Sequence, residues 1–596
     1  MQLPSISYLL ESYAGVVRRF PIPAVVALIA SVCCSIVIEN NYFNGTNDVV
    51  DFCFKTLLAC SIGFPLFITG VILKEAYAWS VGKSLIFNTL VLVFLVVFHI
   101  WFSPVLNTHD YQKLLSYVLF ILSAHLSVSF VAYFRADELN DFWEFNRRLF
   151  VQFVIGALYC VLVFGGLSIA VLAVDELFNI NVDDQLYGHI FIWTAGLLHT
   201  SYFLANFPKS YNFQLEARDF QMAFVNLVKY VFIPISILYF LILYAFTAKI
   251  LVNWELPQGW VSSLVIGFSV AGIFTYLINY LLPQFFESGL LRPFRRWFFY
   301  ILLPMVALLF VAIFRRIGDY GFTEERYYVL LTGIWLSFIC LYFIFSKKDD
   351  IRVIPVSLLA FCVLSLVGPW STFSVSKNSQ KSRLEKLLTE NGILQNGQII
   401  THEPLLKGDP ARDINNVLNY FEDREYWSAL QDFTTDTLAD KEKSGYEKIS
   451  GLLKKFGVEK EAYRNYDSER IYYYDSGQRF ENVDISNYQR FSPVYFSRNG
   501  ESSINIFALS DLDANLDFRM DGQTIESFSI RPKLDEWKNE YGKTTNSGID
   551  PEKLSFVFEG EKVSLKIIFQ SIVVNWSESE PRIDNANGFA FWTMKN

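Results

Sequence analysis

The chain has 596 residues, a formal net charge of −9 and a mean hydropathy of +0.29; 52% of its residues are hydrophobic and only 18% are charged. A soluble chain of this length would divide into several domains with charged surfaces, and a nucleic-acid-binding protein would need a basic face. The composition therefore argues against an ordinary cytosolic enzyme, a disordered protein and a nucleic-acid binder, and it indicates a membrane protein.

Eleven apolar runs occupy the first 370 residues, and each is near the roughly 20 residues that a helix needs to cross about 30 Å of hydrocarbon. They cover residues 21–38, 52–72, 84–102, 114–133, 149–174, 187–207, 228–248, 259–283, 298–314, 327–346 and 353–370. The first run is too long for the core of a signal peptide, so we read it as an uncleaved helix. The fold class predicted for residues 1–370 is an α-helical polytopic membrane bundle with about 11 transmembrane helices.

Lys and Arg residues are unevenly distributed between alternate connections. If the amino terminus is cytoplasmic, sixteen of them lie on the inner side and six on the outer side. Cytoplasmic loops carry the excess of positive charge in membrane proteins, so we predict a cytoplasmic amino terminus in a bacterial inner membrane. With an odd number of spans, the region after residue 370 is then periplasmic.

Two histidines lie deep in predicted spans, where ionisable groups are costly and mark functional sites by default. His125 belongs to the fourth span, and His199 belongs to the sixth, next to Thr200. Histidine titrates near neutral pH, so either residue is a candidate proton relay. The alternative is a neutral histidine that forms a hydrogen bond across a helix interface and serves packing.

The eighth span has small or polar residues every four positions, at Ser263, Gly267, Ala271, Thr275 and Asn279. Side chains with this spacing share one helix face and let another helix approach closely. The functional interpretation is the wall of a pathway through the membrane, and packing is the alternative. Asn279, near the inner end of the span, is the candidate for a role beyond packing.

The densest group of charges outside the tail lies between the ninth and tenth spans. We call residues 315–326 the charged cluster; its ionisable members are Arg315, Arg316, Asp319, Glu324, Glu325 and Arg326. Three arginines on the predicted outer face go against the charge bias, so this loop needs partners. It could neutralise itself, pair with an acidic loop, dock the tail or bind an anionic head group through bidentate arginine, and an error in the predicted topology is the remaining explanation. The acidic loop spans 175–186 and holds Asp175, Glu176, Asp183 and Asp184.

Residues 371–596 differ in composition, with 28 Lys and Arg against 36 Asp and Glu, so that the tail carries a net charge of −8. Amphipathic helical patterns fill residues 371–465, which we predict to be a helical neck. From about residue 466 the period shifts to two, in segments such as NLDFRM, LSFVFEG and KVSLKIIFQSIVVNW between Gly, Asn and Asp turns. The tail is therefore predicted to be an extramembrane α+β domain in which residues 466–596 form a β-rich, sandwich-like part.

Standard catalytic and cofactor motifs are absent from the sequence, which contains no phosphate loop, no GxSxG elbow, no HExxH and no GxGxxG. The seven cysteines lie in apolar stretches without a CxxC pair or a Cys/His metal spacing. We therefore predict no metal site, no cofactor and no catalytic residue.

Four strings follow one another along roughly residues 190–390. They are HTSYFLANFP, KYVFIPISILYFLILYAFTAKILVNWELPQGWVSSLV, FVAIFRRIGDYGFTEERYYVLLTGIWL and GPWSTFSVSKNSQKSRLEKLL. In these strings the chain resembles an uncharacterised bacterial membrane family, the domain of unknown function four-one-five-three. The resemblance implies a polytopic bacterial membrane protein with an extramembrane C-terminal region, and it brings no activity, substrate, cofactor or catalytic residue.

Eleven spans exceed what an anchor requires, so the leading hypothesis is a multi-pass protein that transports or handles an envelope substrate, either a lipid or a small anion. The alternative is a non-transporting membrane scaffold or sensor whose C-terminal domain binds an envelope partner. A membrane-embedded transferase is a third class, for which only the charged cluster and the acidic loop offer acid and base groups. The partners predicted are the lipid bilayer and an envelope protein or lipid, not nucleic acid.

Overall fold

The structure is a computed structural model. It describes residues 14–40, 48–102, 111–134, 139–178, 180, 182–213, 215–217, 220–253, 260–346, 348–434, 437–438, 444–459, 470–474, 488–497, 507–509, 515–520, 523–541, 553–575 and 582–595. The chain divides into two compact units. The first consists of Met1–Ile399 and Asn416–Ile449, and the second consists of Ile400–Asn415 and Ser450–Asn596.

The first unit is mostly helical, and each of the eleven predicted apolar runs overlaps a helix. Within the described ranges, nine helices are long and apolar enough to cross a membrane. This confirms the prediction of a mostly helical region with many helices of transmembrane length and composition. The helices are α1 Pro21–Glu39, α2 Asp48–Ala76, α3 Val81–Trp101, α4 Tyr111–Phe130, α5 Leu139–Phe178, α6 Gln185–Trp193, α7 Thr200–Ala205, α8 Met222–Leu227, α9 Ile233–Asn253, α10 Trp260–Asn279, α11 Leu282–Phe285, α12 Leu291–Tyr320, α13 Glu324–Phe345 and α14 Val353–Leu366.

Two of the eleven predicted spans differ from the others. The sixth is a helical run from α6 to α7 in which Thr194–His199 form a π-helical turn. The last one, α14, has 14 residues, which at 1.5 Å per residue give about 21 Å, less than the thickness of the hydrocarbon layer. The number of membrane crossings depends on whether these two predicted spans cross the membrane, and this number determines the side on which the tail lies.

An aromatic core holds α10, α12 and α13 together. Tyr276 on α10 contacts the rings of Phe298 and Phe299 on α12, with ring centroids 5.7 and 4.7 Å apart. Phe299 also stacks on Phe343 of α13 at 4.5 Å. Such pairs add about 0.5–1.5 kcal/mol each beyond the burial of their area, so they stabilise the packing of α13 against α12.

The helices of the neck follow the bundle. They are α15 Thr372–Glu390, α16 Asp409–Asp423, α17 Trp427–Leu430 and α18 Gly445–Phe456. The side chain of Ser371 caps α15 by accepting a hydrogen bond from the backbone N–H of Ser374 at 3.3 Å. Residues 416–449 belong to the first unit, so this part of the neck packs with the bundle.

The second unit contains two antiparallel sheets. In the five-stranded sheet, β9 and β10 are strands of 13 residues that pair with each other, β4 pairs with β10, and β3 and β8 both pair with β9. The smaller sheet has the order β5-β6-β7, which confirms the prediction of β structure after residue 466. The strands are β1 Leu394–Gln395 and β2 Gln398–Ile399 in the first unit, then β3 Arg470–Tyr474, β4 Arg490–Ser497, β5 Phe507–Leu509, β6 Asn515–Met520, β7 Gln523–Ser529, β8 Ser555–Glu559, β9 Val563–Asn575 and β10 Arg582–Met594.

Both sheets of the second unit share one hydrophobic core with helix α19, Arg531–Tyr541. Trp537 on this helix is fully buried and contacts the ring of Phe556 at 5.1 Å. The carboxylate of Glu526 on β7 accepts three backbone hydrogen bonds, at 2.7–3.1 Å, from the turn between β8 and β9. This carboxylate ties the small sheet to the large one.

Candidate functional site

Glu324 is the most buried member of the charged cluster. It is the first residue of α13, and its side chain has no exposed surface. Acidic residues favour the first turn of a helix because the helix dipole is positive there. A buried carboxylate nevertheless needs an opposite charge or hydrogen-bond donors.

Two side chains from residues 416–449 donate hydrogen bonds to the carboxylate of Glu324. The hydroxyl of Tyr420 donates to Oε1 at 2.8 Å, and Nε of Arg424 donates to Oε2 at 2.9 Å. The Arg424 guanidinium also lies over the rings of Tyr420, at 4.2 Å, and Tyr111, at 5.0 Å. We call Glu324, Tyr420, Arg424 and Tyr111 the neck junction.

Burial and the charge of Glu324 affect the pKa values of Tyr420 and Arg424 in the neck junction. Burial, and then this charge, raises the pKa of the Tyr420 phenol above its ordinary value. Burial alone would lower the pKa of Arg424, but the charge and hydrogen bond of Glu324, together with the nearby tyrosines, outweigh burial and raise this pKa. Tyr420 is therefore a neutral donor beside a charged guanidinium.

A three-residue turn connects α12 to α13, and α15 holds it. Nε2 of Gln380 donates to the carbonyl oxygens of Tyr320 and Phe322, at 3.0 and 2.6 Å, and the backbone N–H of Phe322 donates to Oγ of Ser379 at 2.9 Å. Gly321 has a φ of +70°, and a Cβ there would lie 3.1 Å from both side chains. The turn and Glu324 therefore both make docking contacts with the neck.

The other members of the charged cluster do not form the predicted loop. Arg315, Arg316 and Asp319 lie in the last turns of α12, which ends at residue 320. The sequence predicts that this span ends at residue 314, where the residues become polar, but a helix satisfies its own backbone hydrogen bonds and continues into the polar layer. Arg315, Asp319 and Glu325 are exposed and form no ion pair with another described residue, whereas Arg316 and Arg326 are half-buried.

The acidic loop is shorter than predicted, because α5 runs to residue 178 and α6 begins at residue 185. Asp175 and Glu176 therefore lie at the end of α5, and Asp183 and Asp184 precede α6. Oδ1 of Asp175 accepts a hydrogen bond from the backbone of Val182 at 3.0 Å, and Oδ1 of Asp183 accepts one from residue 185 at 2.9 Å. These contacts are local, and the structure pairs none of the loop's described carboxylates with an arginine of the charged cluster.

The two predicted histidines have different surroundings. His125 is exposed on α4, and its Nδ1 lies 2.8 Å from the carbonyl oxygen of Ile121, one turn earlier. His199 lies in the π-helical turn, where Nε2 is 3.2 Å from the carbonyl oxygen of Phe153 on α5. A Cβ on Gly156 would come within 2.9 Å of the His199 ring, so this glycine makes room for it. His199 thus makes the hydrogen bond across a helix interface that the packing alternative describes.

Thr200 and Asn279 are the other predicted intramembrane residues. The hydroxyl of Thr200 donates back to the carbonyl of Ala195 at 3.5 Å. Asn279 is fully buried, and its Nδ2 donates to the carbonyl oxygen of Leu291 at 2.9 Å. Its Oδ1 is buried without a hydrogen-bond partner in the part of the chain that the structure describes. Residues 263, 267 and 271 of the same stripe are exposed, so the stripe does not form one packed face.

Sequence reasoning missed a second cluster with the composition of the neck junction. Arg19, just before α1, donates to both oxygens of Glu75 on α2, at 2.9 and 2.7 Å, and the Tyr211 hydroxyl donates to the same carboxylate at 2.8 Å. Arg19 also donates to the carbonyl oxygens of Phe207 and Pro208, at 3.0 and 2.6 Å. We call Arg19, Glu75 and Tyr211 the Arg19 cluster. A signal was present, because Arg19 and Glu75 are opposite charges at adjoining ends of neighbouring predicted spans.

One face of the five-stranded sheet also escaped the sequence reasoning. Four directly paired residues form a row across β4, β10, β9 and β8, which we call the outer row: Phe491, Phe591, Lys566 and Val557. Phe491 is 57% and Val557 is 58% exposed, and the rings of Phe491 and Phe591 lie 5.4 Å apart. The unpacked face of an antiparallel sheet ordinarily carries polar side chains, so this row is an exception.

Comparisons with known proteins identify relatives but no activity. The family model described as Domain of unknown function (DUF4153) matches residues 26–396, a range that begins well before the four strings on which the resemblance rested. An uncharacterized protein of Pasteurella multocida (strain Pm70) is 26% identical over 345 residues, which cover 56% of this chain and 55% of that protein. The chain thus spans about half the length of this curated relative. No solved structure matches the chain.

Proposed function

The chain belongs to the family Domain of unknown function (DUF4153), and from this premise we propose that it is a non-transporting membrane scaffold or sensor. In this proposal the helical bundle anchors the chain, and the β domain binds a partner in the cell envelope. The observation that carries the proposal is the outer row.

The outer row has the chemistry of an interaction surface. Phe491 and Val557, both more than half exposed, lie at its two ends. In the next row, Phe589 pairs with Pro493 and with Ile568; Pro493 is exposed and Phe589 is half-buried, whereas Ile568 is buried. Exposed apolar patches and aromatic side chains are typical of protein interfaces. A fitting partner would offer an apolar centre and an acidic group opposite Lys566.

The neck junction supports the scaffold part of the proposal. It joins the first residue of a candidate span, Glu324, to Tyr420 and Arg424, about a hundred residues further along the chain. Removing one partner of a buried ion pair costs roughly 3–5 kcal/mol, so this contact resists separation. A scaffold or sensor needs such a firm connection between its spans and the segment that leads to its binding domain.

The contacts of the predicted intramembrane residues favour this function over proton-coupled transport. His125 bonds within its own helix, and His199 bonds to the backbone of the neighbouring helix. Glu144, a fully buried carboxylate on α5, is paired with Arg147 and Arg148 at 2.7 Å. Contacts of this kind support a packing role for these groups.

In this proposal the protein lies in the bacterial inner membrane with a cytoplasmic amino terminus and a periplasmic β domain. The support is the distribution of Lys and Arg, sixteen against six. Reporter fusions after residue 371 and at residue 595 are expected to be active as periplasmic reporters and inactive as cytoplasmic ones. The reverse result would move the β domain and its partner to the cytoplasm.

Photo-crosslinking in intact cells tests the binding surface. A photoreactive phenylalanine analogue at position 491 or 557 of the full-length chain is expected to capture the same protein or lipid. The control is position 562, which is exposed in the turn between β8 and β9, and it is expected not to capture that product. Different products from 491 and 557, or equal capture from 562, would contradict the outer row as a binding site.

One observation favours a second candidate function, the transport or handling of a lipid or a small anion. Asn279 is fully buried, and its Oδ1 has no partner among the described residues. One turn earlier, Thr275 accepts a hydrogen bond from Ser236 on α9 at 3.1 Å, which adds a polar contact between these helices. Anion accumulation and lipid flipping in proteoliposomes test this function. Asn279→Ala should reduce the rate, and an unchanged rate in the double variant His125→Ala, His199→Ala would exclude proton coupling through the histidines.

A further inference from the structure

Tyr320, the last residue of α12, lies between two guanidinium groups. The Arg326 guanidinium is 5.4 Å and the Arg383 guanidinium 5.5 Å from the centre of its ring. Nη1 of Arg326 donates to the carbonyl oxygens of Tyr320 and Gly321, at 3.2 and 3.0 Å, and Nη1 of Arg383 donates to that of Tyr320 at 3.3 Å. The backbone at the end of α12 thus holds two cations beside a phenol that is 42% exposed.

A third arginine shares the helix face of Tyr320. Arg316 precedes Tyr320 by four residues, and residues at this spacing are neighbours on a helix surface. Arg315 precedes Asp319 by four residues in the same way, so the carboxylate of Asp319 shares the helix face of Arg315 and not that of Arg316. The nearby Glu324 is already paired with Arg424, and Glu325 is the other exposed acid of the cluster. Arg316 thus shares the helix face of Tyr320, and the Arg326 and Arg383 guanidinium groups lie over the Tyr320 ring.

These arginines lie where the apolar part of α12 ends. Phe314, directly before them, is 56% exposed, and Trp370 is 55% exposed. The hydroxyl of Tyr327, in the first turn of α13, donates to the carbonyl oxygen of Trp370 at 2.8 Å. Exposed Trp and Tyr beside Arg at the end of an apolar helix are typical of the head-group layer of a membrane.

We propose that Arg316, Arg326 and Arg383 around Tyr320 bind a phosphate group, as carried by the head group of an adjacent lipid. Guanidinium groups present planar pairs of donors that match phosphate oxygens, and the Tyr320 hydroxyl adds a donor. Several arginines here oppose the charge bias of the chain, and a bound anion explains their presence. This site lies on α12, α13 and α15 of the first unit, so it is independent of the outer row and can fail or succeed separately from the proposed function.

The test measures lipid binding to the full-length protein in detergent by native mass spectrometry. The probes are phosphatidylglycerol, and diacylglycerol as the matched lipid without a phosphate. Phosphatidylglycerol is expected to bind and diacylglycerol is not. If inorganic phosphate displaces the lipid, the site also takes free phosphate; if it does not, the site requires the lipid. Both results support a phosphate site, whereas equal binding of the two lipids overturns it.

Two neighbouring arginines provide a matched pair of variants. Arg316→Gln is expected to weaken phosphatidylglycerol binding about tenfold, which corresponds to about 1.4 kcal/mol, while Arg315→Gln changes it less than about twofold. Arg316→Lys keeps the charge but loses the planar pair of donors, so it should fall between wild type and Arg316→Gln. Thermal unfolding of each variant verifies that the bundle is intact. An equal effect of Arg315→Gln and Arg316→Gln, or no effect of Arg316→Gln in a folded protein, overturns the site.

Discussion

The neck junction and the Arg19 cluster each contain a glutamate that is bonded to a tyrosine and an arginine, and the two glutamates differ in burial. In each, a tyrosine hydroxyl donates to a glutamate at 2.8 Å, and an arginine donates to the same carboxylate at 2.7–2.9 Å. The Glu324 side chain is 0% exposed and that of Glu75 is 30% exposed. The same pattern of hydrogen bonds thus occurs around one carboxylate that is fully buried and another that is partly exposed to water.

The difference in burial changes what each cluster does for the protein. Water can replace a lost partner of Glu75, so breaking that pair costs little, as for exposed pairs in general. Water cannot reach Glu324, so its partners must come from the chain itself. The neck junction therefore specifies where residues 416–449 pack on the bundle, and the Arg19 cluster only reinforces contacts that the helices already make.

Removing Arg424 should have the largest effect. Arg424→Ala leaves the Glu324 charge buried beside a single neutral donor, and a loss of about 3–5 kcal/mol in the free energy of unfolding is expected. The measurement is thermal unfolding in detergent, together with protease cleavage of residues 416–434. Arg412→Ala, on α16, is the control, because the Arg412 side chain is 42% exposed, and it should cost less than about 1 kcal/mol.

A double variant separates the loss of the ion pair from the loss of packing. Glu324→Gln combined with Arg424→Met removes both charges and keeps most of the volume, so it should recover much of the stability that Arg424→Ala loses. If Arg424→Ala is no less stable than Arg412→Ala, or the double variant recovers nothing, the ion pair is not what holds the neck.

Tyr420→Phe should have an intermediate effect. It removes one hydrogen bond to a buried charge and should cost about 1–3 kcal/mol near neutral pH. Burial, and then the charge of Glu324, raises the pKa of Tyr420 above its ordinary value of 10.0. The unfolded chain releases this proton first, so the stabilisation is present below about pH 10 and is lost as the pH rises further.

Unfolding at pH 7 and above pH 10 checks both parts of the Tyr420 prediction. Stability should fall less steeply with rising pH in Tyr420→Phe than in wild type. Tyr426→Phe is the matched control, because the Tyr426 hydroxyl is buried without a partner among the described residues, and its removal should not destabilise the protein. Equal losses in the two variants would show that the Glu324 hydrogen bond contributes nothing.

The helices of the bundle could be predicted because the signal is local. A run of about 20 apolar residues in a membrane must satisfy its backbone internally, and a helix does so. The ends of the helices cannot be predicted as well, because a charged residue marks the end of an apolar run but not the end of the helix. Residues 315–320 remain in α12 although two arginines begin that stretch.

The partners of Glu324 could not be predicted from a single sequence. Tyr420 and Arg424 lie 96 and 100 residues away, and nothing near Glu324 indicates which distant residues will pack on it. The outer row shows the same limit, since alternation predicted β8 and β9 but not which strands pair with them. Contacts between elements that are distant in the sequence can be identified only from the three-dimensional structure.

Glu75→Gln should cause the smallest loss in the free energy of unfolding. It is directly comparable with Glu324→Gln, which is the same chemical change at a fully buried position. Arg19 keeps its hydrogen bonds to the carbonyl oxygens of Phe207 and Pro208, so the loss should stay below about 1 kcal/mol and shrink as salt is added. In Glu324→Gln, Arg424 loses its charge partner in a site without water, and a loss of several kcal/mol that is insensitive to salt is expected. The measurement is thermal unfolding of both variants at low and high ionic strength. Equal losses with equal salt dependence would mean that burial does not separate the two clusters, and the neck junction would then be one more peripheral ion pair.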